Sequence, residues 1–308
     1  MKTGLYIGGG GSTVDATVGQ VRAAAEAGLD SVFLSQLTSW DALTLLAVIG
    51  QRVPAIELGT AVVQTYPRHP LALAGQALTT QAVTGNRLTL GIGPSHRQII
   101  EGQFGHSYDR PARHVREYLS ALQPLLRGEQ VEYRGQTLTA VGQIDVPGTK
   151  PPSVLVSALG PVMLRIAAEL ADGTVTVWTG PEAIADYVQP TITRAAAEAG
   201  RPAPRIVASV MVSVTDDPDG ARRRVAQTVG FAAQFASYRS MLDRQGMSGV
   251  HETVVAGDES TLARAIRQYA EAGATELLVS PFGSESEQAR TIRVLASLRT
   301  GSTVPNQV

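Results

Sequence analysis

The stretch ELGTAVVQTYPRHPLALAGQALTTQAVTGNRLTLGIGPSHR, residues 57–97, decides the fold. It begins with an apolar, β-branched run that ends at Gln64, and a proline-rich turn at residues 67–70 then opens a helical pattern. A Gly-Asn turn leads into a second apolar run, residues 88–92. Two strands separated by one helix form the βαβ unit of a parallel sheet. Because polar and glycine-rich residues follow each strand, we expect ligand binding at the carboxyl ends of the strands.

The same alternation runs through the whole chain. Strand-like runs cover residues 3–7, 31–34, 56–63, 88–92, 153–156, 173–178, 206–214 and 276–280, with helical patterns between them and a last helix at 287–298. This pattern predicts an α/β protein with a single domain, residues 1–308, folded as a (β/α)8 TIM barrel. The tail from residue 300 onward is expected to fray.

Two segments, residues 128–152 and 236–258, interrupt the alternation and are interpreted as insertions at the C-terminal face of the barrel. The first contains YRGQTLT, which suggests a hairpin. Insertions at this face usually carry substrate specificity, and a solvated crossover is an equally weighted alternative.

Composition excludes several classes of function. The 308 residues carry a formal net charge of −1, which gives no electrostatic case for nucleic acid or an anionic membrane. There is no cysteine, so disulfides and thiolate chemistry are excluded. Lysine occurs only near the start, at Lys2, and in a Pro/Gly loop, at Lys150, which argues against Schiff-base chemistry. No histidine spacing indicates a metal site. We expect a cytoplasmic protein that acts on a small molecule.

Candidate site residues follow the predicted strands. Ser35 and Gln36 follow the second strand and can hydrogen-bond a planar heterocycle, although the same segment can simply cap a helix. Gly91, Gly93, Ser95 and His96 follow the fourth strand, where glycines allow close backbone approach. Arginines from Arg97 to Arg116 could pair with an acidic ligand tail, or could form ordinary pairs within a solvated helix.

Two further turns join a strand to a helix that begins with proline. They comprise Ser157, Ala158, Leu159 and Gly160, with Met163 in the first helical turn, and then Trp178, Thr179 and Gly180. Free N–H groups at such helix starts can bind a phosphate without any lysine. The alternative is a pair of ordinary βα turns with proline at the helix start.

In the order and spacing of LGTAVVQTYPRHP, GNRLTLGIGPSHR, YDRPARH and SALGP followed by ADGTV, the chain resembles the luciferase-like monooxygenase superfamily, in particular its F420-dependent branch. The resemblance covers almost the whole chain. It implies that F420 binds at the barrel mouth, and that a small organic substrate exchanges a hydride with C5 of this deazaflavin. It also implies a homodimer formed through helices beside the second and third strands.

The resemblance further implies that the third strand carries a bulge with a non-prolyl cis peptide within residues 61–63, against which the coenzyme ring rests. On this basis the coenzyme would contact Thr60, Ala61, Val62, Val63 and Gln64, and its phosphodiester arm would lie near the turns after the fifth and sixth strands. His96 and Gln36 are the catalytic candidates, with His106 and Glu101 as further acid/base candidates. Two alternatives remain open, an FMN-dependent monooxygenase and a flavin-binding barrel without turnover.

Overall fold

In the computed structural model, which describes residues 1–8, 10 and 12–300, parallel strands close into a barrel. The strands are β1 Lys2–Ile7, β2 Ser31–Leu34, β3 Glu57–Thr60, β4 Val63–Gln64, β5 Leu88–Gly93, β6 Val131–Arg134, β7 Thr139–Gly142, β8 Ser153–Ser157, β9 Gly173–Val177, β10 Arg205–Val214, β11 Val255–Gly257 and β12 Glu276–Pro281. The barrel runs β1-β2-β3-β5-β8-β9-β10-β12 and returns to β1, with β4 continuing β3. The predicted TIM barrel is confirmed. The tail after residue 300, expected to fray, lies outside the described residues, as do Gly9 and Gly11.

Helices surround the barrel and connect its strands. They are α1 Val14–Glu26, α2 Ala42–Arg52, α3 Pro70–Val83, α4 Arg97–Phe104, α5 Pro111–Leu126, α6 Pro161–Leu170, α7 Pro181–Ala183, α8 Gln189–Glu198, α9 Pro218–Val229, α10 Ala236–Arg244, α11 Glu259–Glu271 and α12 Glu285–Thr300. None of the helices within the described residues is long and apolar enough to cross a membrane.

The helices differ from the predicted ones in three places. A π-helical turn, Ile184–Val188, separates α7 from α8, so the single helix predicted over residues 181–199 is interrupted. The helix predicted over residues 218–235 ends at Val229 and continues as a 3₁₀ turn. The short helix α4 was not predicted, because five of its eight residues are polar or glycine and its buried surface is limited to Ile100.

The two insertions have structure of their own. Strands β6 and β7 pair as an antiparallel hairpin, which confirms the interpretation of YRGQTLT. The second insertion contains α10, a 3₁₀ turn at Val250–Thr253, and β11, which extends the sheet by pairing with β10. Helix α10 carries Tyr238 to the barrel mouth.

Apolar side chains form two clusters in the barrel and a third around Leu242 and Val250 in the second insertion. The larger core lies between strands and helices and includes Leu46, Leu90 and Leu122, each fully buried. A smaller cluster inside the barrel contains Phe33 and Leu278. A Cβ atom on Gly59 would lie 2.4 Å from the Phe33 ring, so the glycine provides the room for this ring inside the barrel.

A polar network closes the opposite, N-terminal end of the barrel. Glu276 is only 1% exposed, accepts a hydrogen bond from the Ser31 hydroxyl, and pairs with Arg205 at 2.9 Å. Arg205 also donates to the hydroxyls of Thr89 and Ser153, each at 3.1 Å. These residues come from β2, β5, β8, β10 and β12, so one buried carboxylate and its arginine connect strands around the barrel.

The bulge expected in the third strand is confirmed. Strand β3 pairs Gly59 with Thr89 of β5, and β4 resumes the pairing with Val63 opposite Ile92. Between these two pairs, three residues (60–62) on one strand therefore lie opposite two (90–91) on the other, and this one extra residue makes a β-bulge. The Ala61–Val62 peptide bond within it is cis. Strand β3 consequently ends at Thr60 instead of running on to residue 63.

Candidate functional site

A cavity of about 680 Å³ opens at the C-terminal end of the barrel, and we call it the mouth cavity. Its volume lies in the range typical of ligand sites. It brings together twelve of the residues predicted from sequence, namely Ser35, Gln36, Ala61, Val62, Gln64, Gly93, Ser95, His96, Ser157, Leu159, Gly160 and Met163. These residues follow β2, β3, β5 and β8, as expected for a barrel whose site is built from strand ends.

The bulge forms one wall of the mouth cavity. Ala61 and Val62 both line it, and the Val62 carbonyl oxygen accepts a hydrogen bond from the backbone N–H of Gln36 at 3.3 Å. On the facing strand, a Cβ atom at Gly93 would lie 3.0 Å from Val62 and 3.1 Å from Ser157. Glycine at position 93 therefore keeps open the narrow space between the bulge and the end of β8.

Two glutamine side chains present polar groups to this wall. Gln64 is 8% exposed, lines the mouth cavity and makes no side-chain hydrogen bond to any described residue. Its neighbour Val63 faces the core because side chains alternate along a strand. The Gln36 side-chain oxygen accepts from the Ala42 amide at 2.7 Å, which leaves its NH2 group to donate. A planar ring with polar edges would satisfy these amides.

The loop between β5 and α4 holds His96 over the mouth cavity. Ser95 has a φ of +62°, and the Tyr108 hydroxyl donates to its carbonyl oxygen at 2.7 Å. The His96 ring stacks on Phe235 at a centroid distance of 3.9 Å and meets the edge of Tyr238 at 4.7 Å. Phe235 immediately precedes α10, so this stacking contact holds the start of the second insertion against the β5–α4 loop.

Burial determines the charge of His96. Its pKa is lowered to about 4 because the packed rings remove water from the imidazole. The side chain is therefore neutral at pH 7, and neither ring nitrogen is hydrogen-bonded to a described residue. A neutral imidazole can accept a proton at one nitrogen and donate a hydrogen bond from the other.

Tyrosine hydroxyls surround the same part of the mouth cavity. Tyr6, at the end of β1, and Tyr238, on α10, both line it. Burial raises the pKa of each phenol, so both remain protonated donors at neutral pH. Neither residue could be identified from the sequence pattern, because Tyr6 lies in an ordinary strand pattern and Tyr238 lies in an insertion with no predicted helix or strand.

The start of α6 provides a group of free backbone donors. Gly160 precedes the helix, no side chain caps it, and Pro161 supplies no N–H. Val162 and Met163 therefore present N–H groups that have no partner within the described residues, and both line the mouth cavity. The helix dipole adds a partial positive charge at this point, which favours a bound anion.

The second predicted anion turn does not share this role. Trp178, Thr179 and Gly180 do not line the mouth cavity. The Gly180 amide already donates to the Gln245 side-chain oxygen at 2.7 Å, and the Gln245 NH2 group donates to the Trp178 carbonyl at 2.9 Å. The Thr179 carbonyl accepts from the Tyr269 hydroxyl. Of the two turns predicted to bind phosphate, the one at Gly180 therefore lacks the free amide donor expected of it, because Gln245 from the second insertion occupies that donor.

Four further predicted contact residues support the wall from behind instead of lining it. Val63 and Ala158 are packed into the core, and Thr60 and Gly91 are bonded to each other behind the bulge. A Cβ atom at Gly91 would lie 2.0 Å from the Thr60 carbonyl oxygen, so this glycine allows strand contact, not ligand approach.

Two arginines of the predicted cluster, Arg97 and Arg116, form ion pairs with carboxylates. Arg97 pairs with Glu101 and Asp109, and Arg116 pairs with Glu169 at 2.6 Å. Arg110 and Arg113 donate to the Gln136 side chain of the β6–β7 hairpin. Of this cluster Arg97 alone lines the mouth cavity, and His106 lies in a separate groove beside the hairpin. Over the residues that the structure describes, no group of three or more His, Asp or Glu side chains could hold a metal ion.

Sequence comparisons identify the family of the chain. Residues 2–276 match the profile of the family described as luciferase-like monooxygenase. A Mycobacterium tuberculosis protein provisionally named a coenzyme F420-dependent oxidoreductase is 32% identical over 235 residues, which cover 70% of this chain and 68% of that protein.

Solved structures show the same fold at lower identity. The coenzyme F420-dependent tetrahydromethanopterin reductase of Methanopyrus kandleri superimposes with a TM-score of 0.82 at 21% identity, over 96% of this chain and 97% of that one. The oxygenating constituent of 3,6-diketocamphane monooxygenase from Pseudomonas putida, in complex with FMN, superimposes with a TM-score of 0.75 at 19% identity, over 100% of both chains.

Proposed function

The chain belongs to the luciferase-like monooxygenase family of enzymes, and from that premise we propose that it is an F420-dependent oxidoreductase that transfers a hydride between C5 of the deazaflavin and a small organic substrate. The observation that carries the proposal is the composition of the mouth cavity. The side-chain NH2 groups of Gln36 and Gln64 are free to donate near the bulge, free helix N–H groups lie at the start of α6, and the aromatic residues of the cavity carry no fixed charge. The relative with 32% identity carries an F420-dependent name, which favours F420 over FMN.

The residues present fit such a coenzyme. Its planar ring would rest against Ala61 and Val62, where Gln36 and Gln64 could hydrogen-bond the polar ring edge. Its phosphodiester would accept hydrogen bonds from the N–H groups of Val162 and Met163. The hydride chemistry belongs to the coenzyme, and the protein contributes binding, orientation and exclusion of water.

The substrate would occupy the part of the cavity enclosed by Tyr6, His96 and Tyr238. The two phenols and the neutral imidazole can donate hydrogen bonds to a carbonyl oxygen, and His96 can accept the proton of a hydroxyl group when the substrate is oxidised. Because the pKa of His96 is about 4, this base is weak and its protonation state does not change between pH 6 and 8. We therefore expect an uncharged carbonyl or alcohol as the substrate class.

The test is a comparison of two coenzymes. The purified protein is titrated with F420 and with FMN, and quenching of coenzyme fluorescence gives both dissociation constants. The reduced coenzyme is then mixed with a panel of ketones and enones, and its reoxidation is followed without oxygen. We expect tighter binding of F420 and substrate-dependent reoxidation. Equal or tighter FMN binding with oxygen consumption would favour the monooxygenase alternative, and binding without turnover would favour a flavin-binding barrel.

We also propose a homodimer formed through helices beside the second and third strands, here α2 and α3. This proposal rests on the family resemblance alone. Sedimentation equilibrium of the full chain measures the mass directly, and a monomer at micromolar concentration would contradict it.

A further inference from the structure

A cleft of about 510 Å³ lies between α6 and α8 on the outside of the barrel, and we call it the arginine cleft. It is lined by Pro161, Arg165, Tyr187, Thr191, Arg194, Ala195 and Glu198. The guanidinium of Arg244 lies above the Tyr187 ring at 3.7 Å from its centroid, a cation–π contact that places a third positive charge at the upper edge of the cleft.

The three arginines of this cleft are not neutralised. Among the described residues, neither Arg165, Arg194 nor Arg244 forms an ion pair with a carboxylate. The cleft contains one acidic side chain, Glu198, which lies at the end of α8 farthest from the barrel mouth. Glu182 and Asp186 occur on the segment before α8 but do not line the cleft. The part nearest the mouth is therefore positive.

The arginine cleft adjoins the mouth cavity. Pro161 lines both, and it is the first residue of the helix whose free N–H groups face the cavity. Arg165 lies one helical turn beyond Pro161. Tyr187 lies in the π-helical turn and Arg194 on α8, and the seven residues from one to the other correspond to about 10 Å of helix rise. A ligand tail that extends outward from the start of α6 would reach Arg244 and Arg165 first and then Arg194.

We propose that the arginine cleft binds the carboxylate-bearing tail of the coenzyme, which continues outward from the phosphodiester. This inference rests on the proposed function, and it replaces the arginines at 97–116 as the place where the tail is recognised. Guanidinium groups suit carboxylates because they donate two parallel hydrogen bonds. FMN carries a phosphate but no such tail, so the cleft would select F420 without any change in the pocket for the ring.

The experiment uses three forms of the full chain, wild type, R165Q/R194Q and R110Q/R113Q. Each is titrated with F420 and with FMN at low and high salt, with coenzyme fluorescence as the readout. All four arginines are exposed, so the substitutions leave the core intact. The R110Q/R113Q variant removes the same charge from two arginines that contact Gln136 of the β6–β7 hairpin and belong to the cluster predicted from sequence to meet the tail.

We expect R165Q/R194Q to bind F420 about fivefold more weakly at low salt, since exposed ion pairs each contribute a fraction of a decade in affinity. The dependence of its F420 affinity on salt should also be flatter, because fewer charges remain to be screened. Its affinity for FMN should not change, and R110Q/R113Q should bind both coenzymes like the wild type.

Three results would overturn the inference while leaving the proposed function in place. They are unchanged F420 affinity in R165Q/R194Q, a loss in R110Q/R113Q instead, and an equal loss of FMN affinity in R165Q/R194Q, which would assign these arginines to the phosphate. Failure of the wild type to bind F420 is a separate result that would overturn the proposed function as well.

Discussion

The hydroxyl group of Thr60 donates a hydrogen bond to the carbonyl oxygen of Gly91 at 2.8 Å and accepts one from the amide of the same residue at 2.9 Å. Thr60 is the last residue of β3 before the bulge, where the regular ladder with β5 is interrupted. One side chain therefore satisfies both backbone groups that the bulge leaves without ladder partners on this side. Since Ala61 and Val62 follow directly, the same pair of bonds fixes the wall of the mouth cavity.

We predict that Thr60→Val destabilises the protein by about 1–3 kcal/mol, because it leaves the buried N–H and C=O of Gly91 without these partners. Thr60→Ser keeps the hydroxyl and should cost less. Urea denaturation measures both free energies of unfolding, and coenzyme titration measures the effect on the wall. A Val variant as stable as the Ser variant would show that the two bonds contribute little.

Ser157 lies at the end of β8 and lines the mouth cavity close to Gly93 and to the start of α6. We predict that Ser157→Asp lowers the affinity for F420 at least about tenfold. A carboxylate at this point would repel the phosphodiester in a partly desolvated site, by more than about 1.4 kcal/mol. The control variant Ser157→Asn has a side chain nearly the size of aspartate but carries no charge. It should therefore bind F420 more tightly than Ser157→Asp. Equal affinities of the two variants would place the phosphate elsewhere.

Much of the fold could be read from the sequence because it depends on local periodicity. The alternating apolar runs predicted every barrel strand, and the composition of residues 57–97 indicated both the βαβ unit and the strand ends that form the site. The bulge required more than periodicity, since Ala61, Val62 and Val63 have the composition of a regular strand. It was expected from family resemblance and is confirmed by the pairing register.

The rest of the site depends on contacts between residues far apart in the sequence. Gln245 satisfies the turn at Gly180 across 65 residues, and Phe235 stacks on His96, so neither partner could be identified from local pattern. The same holds for the arginine cleft, whose members lie on α6, α8 and α10. Among the arginines that are close in sequence, Arg97 pairs with Glu101 one helical turn away, whereas Arg116 pairs with Glu169, which lies 53 residues further along the chain.

The buried carboxylate at the base of the barrel gives a stability prediction. Replacing Glu276 by Gln would leave Arg205, which is partly exposed, bonded to hydroxyl groups without a negative charge. We expect a loss of about 2 kcal/mol, less than for a fully buried pair because water reaches the guanidinium. The double variant E276M/R205M removes both charges and should recover part of the loss. Urea denaturation curves of the two variants and of the wild type decide whether the ion pair or only the packing contributes to stability.

The two stacked histidines predict how stability depends on pH. Burial lowers the pKa of His96 and of His114, whose ring stacks on Tyr66 at 3.9 Å, to about 4. In the unfolded chain both would titrate near the ordinary value of about 6.5, so at pH 5 the unfolded state binds protons that the folded state does not. The folded state is thus favoured above pH 6.5 and loses stability as the pH falls towards 4, by about 2 kcal/mol for each histidine at pH 5.

Urea denaturation at pH 7.5 and at pH 5 tests this prediction, since carboxylates with lowered pKa values lose their contribution mainly below that range. His96→Phe keeps an aromatic ring against Phe235 but cannot be protonated. Between pH 7.5 and pH 5, the free energy of unfolding of this variant should therefore fall by about 2 kcal/mol less than that of the wild type. If wild type and variant lose the same amount, the His96 imidazole is solvated when the protein is folded, and the stack on Phe235 does not hold the second insertion against the β5–α4 loop.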